Sequence, residues 1–180
     1  MRGTPSGMAG EAKSRTKARI RLLAEHPACC YCAGLRPATT VDHVPARIMF
    51  RNKQRPSGLE APACETCNST TRIDELVVAM LARTFPDPPD TSSSAELGRI
   101  VNSVANNRPG LLRELGQRSR VEGKERELSE KLGRPMHLVN CSAPLLNASM
   151  QIFGRKIGLA FHYLTTSHVV PRTGGVWVRW

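Results

Sequence analysis

The chain has 180 residues, with 26 Lys+Arg against 15 Asp+Glu, a formal net charge of +11 at pH 7. That length suits one domain, or one domain with a small appendage, and the charge favours an anionic partner. Aromatic residues are only 4% of the chain, which argues against a platform that stacks single-stranded bases; no apolar run is long enough for a membrane span, and the polar, basic stretch Met1–Lys17 does not read as a secretory signal.

Residues 1–18 read as a basic flexible tail, with residues 1–10 carrying almost nothing to bury. Ala12–Glu25 has the pattern of a basic helix anchored by Ile20, Leu22 and Leu23 and stopped by Pro27. Residues 28–68 are rich in turn formers, with a short strand expected at Ala38–Val41. A helix is expected over Glu65–Thr84, because Ile73, Leu76, Val77, Met80 and Leu81 share one face. The prolines of residues 86–93 forbid a helix and mark a linker. Ser94 is placed to cap a further helix, with Leu97, Ile100, Val101 and Val104 on its buried face. Pro109 suits the first position of a short helix carrying Leu111, Leu112 and Leu115. Residues 121–134 read as a charged surface helix, Asn147–Thr166 as a long apolar one, and Val176–Trp180 as a terminal strand. The expected organisation is therefore a tail (1–18), a cysteine-bearing module (19–85), a linker (86–93) and a helical extension with a terminal strand (94–180), the extension covering the back of the module.

The charge is uneven. Residues 1–60 hold 11 basic and 4 acidic side chains, a net of +7, and residues 61–120 hold 7 of each. The same first third begins the cysteine cluster. Of the 6 cysteines, Cys29 and Cys32 form one pair two residues apart, Cys64 and Cys67 a second. Without a secretory signal, such pairs favour a metal over disulfides, and four thiolates complete the closed tetrahedron of a structural zinc site. Gly34 suits the backbone turn that follows the first pair. Cys30 is then a bystander. A redox pair would require a βαβ context, which the pattern lacks.

Between the pairs lies Val41-Asp42-His43-Val44-Pro45, and Asn68 follows the last cysteine. A strand leading into Asp42-His43, and a helix starting at the second pair, would bring Asp42, His43 and Asn68 close once zinc joins the pairs. Asp42 and Asn68 are oxygen donors suited to Mg²⁺ or another hard ion. A histidine such as His43 takes a proton from water near neutral pH. The plainer alternatives are a core histidine, a turn-capping Asp42 and a helix-capping Asn68.

The string CCYCAGLRPATTVDHVPARIMF, followed by LEAPACETCNSTTRIDE, resembles the HNH endonucleases of the zinc-containing ββα-metal (treble-clef) branch. The shared elements are the first cysteine pair, the Asp-His at a strand end, and the second pair followed at once by Asn. The resemblance spans roughly residues 28–76 and implies an α+β fold, a small zinc-bound core with a mostly helical C-terminal extension. It implies a structural Zn²⁺ on Cys29, Cys32, Cys64 and Cys67. It further implies a catalytic Mg²⁺ or similar ion on Asp42 and Asn68, and His43 as the general base that activates water against a DNA phosphodiester. The chain departs from the family at its central Asn, since residues 57–61 contain none. Arg47, Arg51, Lys53, Arg55 and Arg72 would meet phosphates of double-stranded DNA, giving affinity without sequence preference. The expected protein is a cytoplasmic metal-dependent DNA endonuclease. The alternatives are a non-catalytic zinc module that binds nucleic acid, or a zinc-stabilised adaptor for a protein partner.

Overall fold

The structure is a computed structural model that describes residues 8–50, 56, 58–84, 91–116, 122–133 and 140–179. In chain order the elements are α1 (Met8–Glu25), β1 (Thr40–His43), a 3₁₀ turn (Arg47–Met49), β2 (Glu60–Ala63), α2 (Glu65–Thr70), α3 (Arg72–Thr84), α4 (Thr91–Asn107), α5 (Leu111–Leu115), α6 (Glu122–Leu132) and α7 (Pro144–Thr166). The chain is thus α+β, and among the described residues its sheet has two strands. It divides into two compact units that alternate along the sequence. The first holds the described residues of Met1–Arg47, Arg55–Thr70 and Lys156–Trp177; the second those of Ile48–Gln54, Thr71–Arg155 and Val178–Trp180.

The first unit is built on the antiparallel pair β1–β2, in the register Thr40↔Ala63, Val41↔Pro62, Asp42↔Ala61 and His43↔Glu60. The expected Ala38–Val41 strand sits two residues later, because the backbone of Ala38 is taken by Pro27, whose carbonyl accepts its N–H at 2.7 Å. Cys30, Val44, Ala61, Ala160 and Tyr163 form a buried cluster, flanked by Tyr31, Ile157 and Leu164. Ile157, Ala160 and Leu164 recur at three- and four-residue spacing on α7, so one stripe of that helix supplies this cover. Of the expected helical extension, Lys156–Trp177 belongs to this unit, and its α7 part packs on the cluster.

The second unit is helical. Val77 and Met80 of α3 meet Ile100 and Val104 of α4, and Leu111, Leu115, Ala143 and Leu146 complete the cluster. Two partly buried arginines tie it together. Arg83 reaches Glu96 at 2.7 Å and the carbonyls of Ile48 and Phe50 at 3.1 and 2.6 Å. Arg108 pairs with Asp74 and donates to Ser149 Oγ at 3.2 Å.

Several expected boundaries move. The helix expected over residues 65–84 breaks at Thr71, whose carbonyl accepts the N–H of Glu75 and so starts α3 afresh. Its neighbours Ser69 and Thr70 carry hydroxyls that compete for backbone groups, and Ser69 Oγ does bond Thr66 O. Helix α1 begins at Met8, inside the segment expected as a tail, where Ala9, Glu11, Ala12 and Lys13 are good helix formers. Helix α4 begins at Thr91, ahead of Ser94. Pro109 lies in the turn before α5, whose cap is Gly110 at φ +90°. Helix α7 begins at Pro144, three residues early, with proline at its first position. Residues 175–179 form no strand. Their alternation is real, but it faces helical glycines: a Cβ on Gly158 would lie 2.6 Å from Val176, and one on Gly154 2.5 Å from Val178. The expected linker at 86–93 lies mainly outside the described residues.

Candidate functional site

The first cysteine pair sits on a tight hairpin. Cys29 N–H donates to Arg36 O at 3.1 Å, Gly34 N–H to Cys29 O at 3.1 Å, and Leu35 N–H to Cys32 O at 3.0 Å. Ala33 and Gly34 turn the chain with φ of +53° and +72°. The second pair straddles the start of α2: Cys64 precedes it, and Cys67 N–H donates to Cys64 Sγ at 3.4 Å. The sulfurs of Cys29, Cys32, Cys64 and Cys67 all lie within 4.8 Å of one another. A zinc tetrahedron with Zn–S near 2.3 Å has sulfur–sulfur edges of about 3.8 Å, so the four thiols are placed to hold one ion. None of the six cysteines is joined in a disulfide.

The electrostatics call for a cation. Burial pushes the Cys29 thiol up. Burial, followed by the neighbouring thiols, pushes Cys67 far above the thiol range. Burial also opposes ionisation of Cys64, but the Cys67 N–H and the thiols around it outweigh this and bring it down to about 7. Burial thus opposes ionisation of Cys29 and Cys67, and a bound dication would offset that cost. Cys30 is 1% exposed and points into the apolar cluster, where burial raises it to about 12. It is a core residue, as expected of a bystander.

The strand end carries Asp42 and His43. They alternate on β1, so their side chains leave opposite faces. Asp42 is 6% exposed. Its Oδ2 accepts the Tyr31 hydroxyl at 2.6 Å and lies 2.8 Å from Lys156 Nζ. His43 is partly exposed. Its Nδ1 lies 3.4 Å from Glu60 Oε1, and its Nε2 lies 3.2 Å from an Arg47 guanidinium nitrogen. Asn68, inside α2, donates from Nδ2 to Thr40 Oγ1 at 3.1 Å, and Thr40 Oγ1 donates to Ala63 O at 3.0 Å.

Thus Asn68 is joined to the same strand as Asp42 and His43. Asp42 is engaged by an internal cation. Among the described residues, the four cysteines are the one group of three or more His, Cys, Asp or Glu side chains close enough to share an ion. Of the arginines expected at phosphates, Arg47 stands beside His43, whereas Arg72 opens α3 in the other unit. Arg51, Lys53 and Arg55 lie outside the described residues.

Three residues at this site escape a reading of the motif alone: Tyr31, Glu60 and Lys156. Glu60 becomes visible only through the β1–β2 register. Lys156 had a signal: it interrupts the stripe Phe153, Ile157, Ala160 on a helix otherwise poor in charge, where a lysine without a partner would be costly.

The fold and site define an α+β protein with a four-cysteine cluster that could hold a metal ion, beside a strand ending in Asp-His. No family model, curated protein or solved structure matches this chain. No helix among the described residues is long and apolar enough to cross a membrane.

Proposed function

We propose that the first unit is a zinc-stabilised treble-clef module of the HNH type and that the protein hydrolyses phosphodiester bonds of DNA. The observation that carries this reading is the placement of His43 between Glu60 at Nδ1 and Arg47 at Nε2. Glu60, 3.4 Å from Nδ1 without a hydrogen bond to it, favours a proton on that nitrogen through its charge, and the Nε2 lone pair, which accepts from Arg47 here, serves as base once Arg47 turns to the phosphate. In the proposed step His43 Nε2 takes a proton from water, the resulting hydroxide attacks phosphorus, and the P–O bond to the leaving sugar oxygen breaks. That oxygen takes its proton from solvent. Arg47, exposed and within reach of the same nitrogen, holds a non-bridging phosphate oxygen and offsets the charge that develops there. A zinc held by Cys29, Cys32, Cys64 and Cys67 would join the Asn68 helix to the first hairpin and would take no part in the chemistry.

A catalytic Mg²⁺ on Asp42 and Asn68 does not fit the arrangement as it stands. The Asp42 carboxylate already accepts the Tyr31 hydroxyl and the Lys156 ammonium, and Asn68 alone offers one amide oxygen. The same pairing favours a second reading, a zinc module that binds nucleic acid without cutting it.

Nicking of supercoiled plasmid separates the two. The full-length zinc-loaded protein is compared with His43→Ala, each with Mg²⁺, with Mn²⁺ and with neither added. The hydrolase reading expects nicking that drops about 100-fold or more in His43→Ala. Equal nicking by both proteins, or none by either, removes it. Salt-sensitive duplex binding without nicking supports the second reading.

A further inference from the structure

We infer that Lys156 is the resident cation of the Asp-His strand and occupies, on Asp42, the place a divalent ion would take. The side chains are 4% and 8% exposed and 2.8 Å apart. Two donors, Lys156 Nζ and Tyr31 OH, converge on the single oxygen Oδ2. The ammonium also stands 5.5 Å from the centre of the Tyr31 ring, whose face attracts it. One negative and one positive charge therefore close on each other in a site shielded from water.

A dication added to Asp42 has two options, and both are unfavourable. It can sit beside the ammonium, where two positive charges repel in a medium that screens poorly. Or it can expel Lys156, leaving a buried lysine without its counter-charge. Asn68 is held by the Thr40 hydroxyl through its amide nitrogen.

Asp42 is on this inference a positioning residue. It fastens the end of β1 to Tyr31 of the first hairpin and to Lys156 of α7, so that the next residue, His43, leaves the strand at a fixed point. The meaning of this for catalysis rests on the hydrolase reading above, but the cation itself is tested by binding alone.

The test titrates the full-length protein, its cysteine site filled with one equivalent of Zn²⁺, with Mn²⁺, reading free Mn²⁺ by electron paramagnetic resonance. The wild type is expected to bind no Mn²⁺ tighter than about 1 mM. Lys156→Met, which keeps the side-chain length and removes the charge, is expected to bind Mn²⁺ at least about tenfold tighter. The double variant Lys156→Met/Asp42→Asn is expected to lose that gain. A wild-type Mn²⁺ site that Asp42→Asn abolishes overturns the inference without any Lys156 variant having to fold. A folded Lys156→Met that gains no Mn²⁺ affinity also overturns it, and Lys156→Gln serves if the Met variant does not fold. Absence of plasmid nicking with the expected Mn²⁺ results would remove the hydrolase reading and leave this inference standing.

Discussion

Glu60 faces His43 across the β1–β2 ladder, with Oε1 3.4 Å from Nδ1. The pairing is a consequence of register: directly opposed residues of an antiparallel pair carry side chains on the same face. The carboxylate therefore stands beside the imidazole from the neighbouring strand, as an electrostatic neighbour of Nδ1 rather than a hydrogen-bond partner.

Replacing Glu60 should expose that role. Glu60→Ala is expected to lower kcat for plasmid nicking by about 10- to 100-fold with KM little changed, as the loss of a carboxylate beside a histidine commonly does. Glu60→Gln removes the charge and should not recover the loss. Imidazole ¹⁵N shifts provide a check that needs no activity: the Nδ1–H tautomer should weaken in Glu60→Ala and in Glu60→Gln alike.

Zinc removal should unfold the first unit. Its strands are four residues each and its buried cluster is small, so a metal worth on the order of 10 kcal/mol is a large share of its stability. Because burial keeps protons on Cys29 and Cys67 in the ion-free form, zinc uptake near neutral pH should release at least about two protons. Protons then compete with the ion, and apparent zinc affinity falls as pH falls. Calorimetry in buffers of different ionisation enthalpy measures the proton count, and an uptake without proton release would contradict it.

The apolar cluster of the same unit should fail in alkali. Burial raises Cys30 from 9.0 to about 12 and Tyr163 from 10.0 to about 12. A raised folded value means the unfolded chain ionises first. The stabilising contribution is therefore complete below about pH 9 and is lost progressively as pH rises towards 12. Denaturant midpoints of the zinc-loaded protein should fall over that window. Cys30→Ala and Tyr163→Phe should each flatten the fall, whatever they do to stability at neutral pH.

Glycine to alanine inside a helix ordinarily stabilises by about 1 kcal/mol. Gly158 should reverse that sign, since the added Cβ would meet Val176 at 2.6 Å. Gly158→Ala is expected to destabilise by about 1–3 kcal/mol. Shortening Val176 to Ala in the same chain should restore part of it, and a double-mutant cycle from denaturant unfolding gives the coupling.

In the second unit, Arg83 should resist conservative replacement. Its guanidinium divides between Glu96 and two backbone carbonyls, a fork that a lysine ammonium does not reproduce. Arg83→Lys and Arg83→Ala are both expected to destabilise by about 2–4 kcal/mol, read as a lowered thermal midpoint.

What the amino-acid sequence determines by itself is local. The spacing of Cys29, Cys32, Cys64 and Cys67 already suggests a metal site, because two residues between ligands is a property of the chain, and the fold gathers the four sulfurs within 4.8 Å of one another. The apolar stripes of α3, α4 and α7 are likewise legible, since 3.6-residue periodicity reports burial wherever the partner comes from. Val176 and Val178 show the limit of such patterns. Alternation states that one side of the segment is buried, but a sheet and a row of helical glycines satisfy it equally, and only the tertiary structure places Gly154 and Gly158 beneath them. The same limit governs the site. Asp42 and His43 stand together in the sequence, yet their partners do not: Glu60 is set by strand register and Lys156 by a helix that begins a hundred residues later. The net charge of the chain is +11. Folding decided which of those charges stays outside, as Arg47 does beside His43, and which, like Lys156, is spent inside against a carboxylate, because a buried charge is stable only where another chain segment brings its counter-charge.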